Sequence, residues 1–372
     1  MKMTYITTTC PYCGTGCGLN LIVTDAGVAG VAPLQRSPVG RGKLCMRGLN
    51  CVKASAENPA VPMINGESVD FEKAVAQAAD LKKYSGEDLA VITSRRLSNE
   101  AQSGISALAK SLNAGIVGTF ADGENDFADI KVKDIAKAQA VLVVGDCMRK
   151  LPLTGNQLFA VQEKGGRIFF AGEECYTAIQ ADEKVFAKDG TLEIPDSFLD
   201  ALKSAENALV LYCVCDKFAA AAKEAAAKAG VKAVPVYDTS NGRGAAKAGF
   251  EPVLAKLSEK MPKAMLLFAE TPLLDDDMYK AFAEKLEAVE FLVVVSSNEC
   301  CLTDIANVVI PAGAFDTCDG TFTNWEGRIQ MARKAADGKN IYDVISALSG
   351  GSVVCEQPDA AAQCLDGIFK EA

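Results

Sequence analysis

Four cysteines near the start of the chain carry its densest chemical information. Cys10, Cys13 and Cys17 stand in C-P-Y-C-G-T-G-C-G and Cys45 in L-C-M-R-G, a Cys-x2-Cys-x3-Cys-x27-Cys spacing. Three close thiolates and one distant closer make a chelating set for a soft metal centre. Iron–sulfur clusters are held by four cysteines in this way. Gly14, Gly16 and Gly18 let the backbone curl around a bulky group, because glycine tolerates positive φ, and Pro11 stiffens the entry to the loop. Zinc and disulfides are the alternatives. Structural zinc usually takes two Cys-x2-4-Cys pairs, whereas here the third and fourth ligands stand alone. Disulfide frameworks fit short secreted chains. The spacing points to one [4Fe–4S] cluster on Cys10, Cys13, Cys17 and Cys45.

Histidine is absent from the sequence. That removes the commonest general base, the commonest zinc ligand and both the Ser/His/Asp and Cys/His triads. The other ten of the 14 cysteines contain no Cys-x2-Cys. Cys213 and Cys215 share one face of a strand at i, i+2. Cys300 and Cys301 are adjacent and point apart if extended. These read as small buried hydrophobes, with a second cluster as the remote alternative, and Cys51 reads as a spare thiol near Cys45.

The bulk numbers bound the rest. A chain of 372 residues, 49 % hydrophobic, suffices for two or three domains and a large core. No run of 18 apolar residues offers a membrane span, and M-K-M-T-Y-I-T-T-T-C lacks an apolar signal core. Fourteen cysteines without an export signal predict a reducing cytoplasm. A net charge of −10 with no dense basic run argues against nucleic acid and anionic membranes as partners.

The elements that must position the cysteines come in two styles. Residues 1–56 are short and turn-rich, with strands at Thr4–Thr8 and Leu19–Val23, which predicts a small β domain that needs its metal to hold together. From about residue 67 the pattern changes. Phe71, Ala74, Val75, Ala78 and Leu81 form the apolar stripe of a helix over Asp70–Lys83, and Ser98 is a good N-cap for a helix running to about Leu112. Buried strands and helices then alternate: Leu89–Thr93, Ala140–Gly145, Arg167–Ala171, Ala208–Cys213, Ala233–Val236, Ala264–Ala269 and Phe291–Val295. That alternation predicts an α/β fold with doubly wound parallel sheets. The expected domains are 1–56 for the cluster, 57–130 plus 260–372 for a first Rossmann-like lobe, and 131–259 for a second.

The cysteine spacing with Arg47-Gly48 resembles the cluster domain of the molybdopterin oxidoreductases, which include formate dehydrogenase alpha subunits and the large iron–sulfur subunit of NADH dehydrogenase. Three further stretches agree in order. They are Ala140–Pro152, A-V-L-V-V-G-D-C-M-R-K-L-P; Ala264–Leu274, where Glu270-Thr271-Pro272 stands in place of x-Asn-Pro; and Asp304–Gln330, ending G-T-F-T-N-W-E-G-R-I-Q. The resemblance implies that the last run lies near a pterin. Its own residues suggest a clasp between lobes, with Glu326 and Arg328 paired across a loop.

The chain also departs from that family. The resemblance places a Cys, selenocysteine, Ser or Asp metal ligand after the first lobe, yet Leu112 through Gly145 holds neither Cys nor Ser. Asp122, Glu124 and Asp126 are the carboxylates available there, with solvated loop acids as the plain alternative. About 40 residues follow Gln330, too few for the C-terminal lobe that grips one dinucleotide in catalytic members, so the sequence reads as a truncated member. Arg47, two residues past Cys45, stands where the family places Lys or Arg between cluster and pterin. Here it is assigned to offset the negative charge of the cluster. The expectation is an electron-transfer subunit of a soluble anaerobic oxidoreductase complex. It would pass single electrons through one [4Fe–4S] cluster to flavin- and iron–sulfur-containing subunits, with no Mo/W molybdopterin guanine dinucleotide and no catalytic residues of its own. The rival is a catalytic Mo/W bis-pterin subunit completed by a separate chain, and a zinc module is the third reading.

Overall fold

The structure, a computed structural model, describes residues 2–121, 123–269, 276–356 and 369–371. Asp122 and Glu270-Thr271-Pro272 lie outside the described residues. The N-terminal region is an antiparallel sheet of Thr4–Thr9, Gly18–Thr24 and Gly27–Pro33. Its first hairpin pairs Thr9 with Gly18, so the strands end where the cysteine loop begins. Its core is small. Leu19 and Leu21 are fully buried with Cys10, Cys17 and Cys51, and the packing is completed by Leu153 and Phe315 from outside residues 1–56. A region this short exposes apolar surface unless neighbours cover it.

The rest is mixed α/β, built on two mainly parallel sheets. The larger runs Glu251–Pro252, Ala114–Thr119, Gly86–Thr93, Ala264–Ala269, Phe291–Ser296, Val308–Pro311, with Met63–Ile64 and Glu67–Ser68 antiparallel at the far edge. The smaller runs Glu183–Phe186, Arg167–Gly172, Ala140–Val144, Ala208–Cys213, Lys232–Val236, all parallel. Central strands such as A-V-L-V-V at 140–144 are buried at every residue, as expected where helices cover both faces. The stripe beginning at Phe71 folds as an α-helix only over Phe71–Ala78 and tightens to a 3-10 turn at Ala79–Lys83, with Ala74, Ala78 and Leu81 buried. Ser98 caps the helix Asn99–Ser111 by accepting from the Ala101 N–H at 3.1 Å.

Each sheet has one point where the chain order reverses. In the larger it falls between Gly86–Thr93 and Ala264–Ala269, and in the smaller between Ala140–Val144 and Ala208–Cys213. Beyond the carboxyl ends of strands at such points, open α/β sheets form their ligand crevices. A hairpin, Gly320–Thr323 with Arg328–Ala332, stands apart from both sheets. Among the described residues no helix is long and apolar enough to cross a membrane.

Candidate metal centre

The cysteine loop closes on itself. Cys10 N–H donates to the Cys17 carbonyl (2.8 Å) and Gly16 N–H to that of Cys13 (3.1 Å). Cys10, Cys13 and Cys17 are buried and Cys45 is half-buried. Cys45 leads into the short helix Met46–Leu49, which lays Gly48 against the loop. A Cβ on Gly48 would stand 3.5 Å from Cys10 Sγ. The four thiols sense one another. Burial, then the charges of Cys17, Cys51 and Cys13, drive the Cys10 thiol well above its ordinary range. Burial, then Cys13 and Cys45, do the same to Cys17. Cys13 is raised by burial and by Cys45, against a hydrogen bond to Thr15 and the charge of Arg47.

Such a set resists ionisation by itself and needs a positively charged partner to hold it as thiolates, so the donor chemistry fits an iron–sulfur cluster. Cys10, Cys13, Cys17 and Cys45 would hold it. Among the described residues no three His, Cys, Asp or Glu side chains are placed to grip a single metal ion, as Zn–S bonds of ~2.3 Å would require. Arg47 is half-buried and its charge reaches both Cys13 and Tyr12. Cys51 is a fifth thiol at the site. It is fully buried and pushed up to about 12 by burial and by Asp316.

The loop is docked by residues distant in sequence. Gly14 N–H donates to the Tyr237 carbonyl (3.0 Å), and the Gly14 carbonyl accepts from Trp325 N–H (2.9 Å). Asn324 Nδ2 donates to the Thr15 carbonyl (3.2 Å), Gln330 Nε2 to that of Gly16, and Arg96 Nε to that of Tyr12 (3.1 Å). Gly16 has φ +66°, and a Cβ on it would overlap the Gln330 side chain. A Cβ on Gly14 would strike the Tyr237 carbonyl. Gly16 is therefore required by the curvature of the loop and by the protein packed against it, and Gly14 by that packing alone.

The Gly320–Gln330 run reaches further. Arg328 Nε donates to Glu326 Oε1 at 2.8 Å, with side chains only 14 % and 5 % exposed. Glu326 Oε2 accepts the Val132 N–H at 2.7 Å. Asn99 Nδ2 donates to Thr321 and Thr323 hydroxyls at 3.0 and 3.1 Å, and Arg243 Nη1 to the Trp325 carbonyl at 3.1 Å. The hairpin thus contacts the cluster loop and both lobes at once. Arg96, Tyr237 and Trp325 carry no signal in the sequence that ties them to the cysteines.

The loop after Ala114–Thr119 is also placed. Asp126 accepts from the Tyr212 hydroxyl (2.7 Å) and pairs with Lys223 (3.3 Å). Burial opposes its charge, but the hydrogen bonds from Tyr212 and Lys223 outweigh it and hold the carboxyl below the ordinary carboxylate range. Glu124 is 83 % exposed and also pairs with Lys223, at 3.3 Å. Asn125 Nδ2 donates to the Phe250 carbonyl (3.0 Å) and to Glu251 (2.9 Å).

Comparison with known proteins bears on the cysteine-containing region and on the fold. Residues 3–56 match the molybdopterin oxidoreductase Fe4S4 domain. The F420-dependent formate dehydrogenase subunit alpha of Methanocaldococcus jannaschii is 24% identical, over 91% of this chain and 68% of its own length. The F420-dependent formate dehydrogenase 1 subunit alpha of Methanococcus maripaludis is likewise 24% identical, over 92% and 69%. Among solved structures, acetylene hydratase from Pelobacter acetylenicus superposes with a TM-score of 0.60 at 14% identity, covering 93% of this chain and 69% of that one. A chain of the formyltransferase/hydrolase complex from Methylorubrum extorquens gives 0.54 at 16% identity, covering 78% of this chain and 98% of that one. Residues 3–56 are thus similar to the iron–sulfur domain of the molybdopterin oxidoreductase family, and most of the chain is similar to formate dehydrogenase alpha subunits. The chain spans about two thirds of the length of the formate dehydrogenase subunits it matches.

Proposed function

We propose that this chain is an iron–sulfur electron-transfer subunit of a soluble, cytoplasmic, anaerobic oxidoreductase complex. When bound on Cys10, Cys13, Cys17 and Cys45, a [4Fe–4S] cluster supplies reversible one-electron transfer. Cys45 is the most exposed corner of the set, and the next residue, Met46, is 70 % exposed. That corner is suited to meet a flavin- or iron–sulfur-containing partner. Arg47 offsets the charge of the cluster from the same side.

The observation that supports the absence of a Mo/W site is the commitment of Asp126 and Glu124, in the loop after Ala114–Thr119, to other partners. Asp126, a carboxylate where the family places a metal ligand, is spent on Tyr212 and Lys223, and Glu124 points its charge at the same lysine. Histidine is absent from the sequence, which removes the usual proton-handling partner. Metal and pterin analysis of the purified complex tests the reading. Iron near four atoms per chain without stoichiometric Mo or W supports it. Two pterin dinucleotides with Mo or W at this chain would overturn it.

A second reading is a catalytic Mo/W subunit completed by a separate chain. It is favoured by the naming of the curated relatives as formate dehydrogenase alpha subunits, aligned over 91% of this chain. The same measurement separates the two.

A further inference from the structure

Charge is distributed unevenly along this chain. The sequence carries a net charge of −10, yet residues 26–56 hold Arg36, Arg41, Lys43, Arg47 and Lys53 and neither Asp nor Glu. Arg36, Arg41, Lys43 and Lys53 are exposed, and Arg47 is half-buried. Among the described residues, none of the five is placed in an ion pair. Lysines elsewhere are paired, such as Lys223 with Glu124 and Asp126, Lys260 with Glu87 and Lys263 with Asp88. The charges around the cysteine loop are therefore left to act on what approaches from outside.

Most of them sit on two segments that touch the ligand set. A turn over 34–43 is closed by Gly42 N–H donating to the Leu34 carbonyl (3.2 Å) and Arg41 N–H to that of Ser37 (3.0 Å). Ser37 Oγ accepts from the Gly18 and Gly40 N–H groups at 3.2 and 3.1 Å, which ties the turn to the strand Gly18–Thr24. A Cβ on Gly40 would stand 3.4 Å from that of Cys17, so the turn lies against a ligand. Arg41 has φ +48°, a conformation few non-glycine residues adopt, so the backbone gives no reason for an arginine there. Past Cys45, the helix Met46–Leu49 packs Gly48 near Cys10 and leaves Met46 and Leu49 exposed.

We propose that this face docks a small acidic iron–sulfur electron-carrier protein, whose carboxylates meet Arg36, Arg41, Lys43 and Lys53 around a contact on Met46 and Leu49. The inference rests on the electron-transfer reading and adds the chemistry of the partner to it. In the step itself the reduced cluster of this chain loses one electron and the oxidised cluster of the carrier gains it. No bond or proton moves, and the reverse transfer uses the same face.

Three observations select that occupant. An acidic carrier is repelled by the acidic remainder of the chain and attracted to residues 26–56, so its approach is steered toward Cys45. Two exposed apolar side chains make a small contact, of the kind weak electron-transfer encounters use and obligate subunit interfaces do not. The hydrogen bonds of the turn hold its charges in place before the partner arrives, which lowers the cost of ordering them.

The test mixes the reduced holoprotein with an oxidised acidic ferredoxin carrying two [4Fe–4S] clusters, in a stopped-flow spectrometer under argon. The transfer rate should fall at least about tenfold between about 20 and 300 mM NaCl. Arg41→Glu combined with Lys43→Glu should lose at least about tenfold in rate at the lower salt, while exchange with a zwitterionic viologen stays at the wild-type rate. Arg36→Glu with Lys53→Glu carries the same expectation should the first variant fail to load iron. Carbodiimide should join ferredoxin carboxylates to Lys43 and Lys53 in preference to the exposed Lys232, a readout of docking that needs no electron transfer. A rate indifferent to salt, wild-type rates in the charge-reversed variants, or cross-links that avoid Lys43 and Lys53 would overturn the docking alone. So would salt-sensitive dimers of this chain, or binding to phosphatidylglycerol vesicles that ferredoxin does not compete away. A cluster that exchanges no electron even with the viologen would overturn the electron-transfer reading and this proposal with it.

Discussion

Trp325 and Gly14 are joined backbone to backbone. The Trp325 N–H donates to the Gly14 carbonyl at 2.9 Å, while Gly14 N–H donates to Tyr237 at 3.0 Å. One residue of the cysteine loop is thereby pinned from two sides by segments more than 200 positions away. The cysteine loop is consequently held by packing against segments distant in the chain.

Gly16 shows how little room that leaves. Its φ is +66° and a Cβ would overlap Gln330. Gly16→Ala is expected to destabilise the holoprotein by about 1–3 kcal/mol through backbone strain and overpacking. It should also quicken iron release to a chelator, because the loop loses its dock. Thermal unfolding and chelator kinetics measure both, and wild-type values in both would show that the hairpin gives way freely.

Cys13→Ala should remove the reduced-state EPR signal and lower iron by about four atoms per chain, the content of one [4Fe–4S] cluster. Cys51 is the nearest competing thiol. Iron quantitation with EPR decides the point. An unchanged spectrum would remove Cys13 from the ligand set.

Glu326 is the most buried charge of the hairpin clasp, 5 % exposed and paired with Arg328. Glu326→Ala removes one buried partner of that guanidinium and the acceptor of the Val132 N–H. Breaking a buried pair from one side costs about 3–5 kcal/mol. Denaturant unfolding should show a loss of that order, larger than for Glu326→Gln, which keeps an acceptor for Val132. Equal, small losses in the two variants would reduce the pair to surface decoration.

Much of this was legible in the sequence, and the gaps have physical causes. The four cysteines announce themselves by spacing, and buried strands such as Ala140–Val144 by unbroken apolar runs. The strand Ala114–Thr119 gives no such run, because A-G-I-V-G-T carries two glycines. A Cβ on Gly115 would strike the backbone of Gly86 in the neighbouring strand, so the close approach that defines the strand also hides it. Arg96, Tyr237 and Trp325 are invisible for a different reason. Their link to the cysteines exists only through tertiary contacts with carbonyl groups, and a carbonyl has no residue type to read.

Asp316 is 6 % exposed, and burial raises its carboxyl above the ordinary range against its own backbone hydrogen bond. The folded chain therefore binds that proton more tightly than the unfolded one. This contribution is neutral in acid below the unfolded value of about 3.9 and turns unfavourable as pH rises through the folded value. Asp316→Asn should raise the denaturation midpoint at pH 7.5, with the gain shrinking toward pH 4. A lower midpoint at pH 7.5 would show that the charge is held favourably after all.

Arg47 lies two residues past Cys45, and its charge is felt at Cys13. A cysteine-ligated cluster becomes more negative on reduction, so a nearby guanidinium favours the reduced state and raises the potential. Arg47→Leu removes the charge while keeping much of the side-chain bulk. The cluster should still assemble, with iron content unchanged, and its midpoint potential should fall. Arg47→Lys should recover most of the difference, because a point charge suffices for this role. Redox titration followed by EPR reads the shift, and the iron content of the same samples separates tuning from loss of the cluster. A rise in potential, or no movement in a variant with full iron, would assign the positive charge at the loop to another residue, Arg96 being the next nearest through its bond to Tyr12.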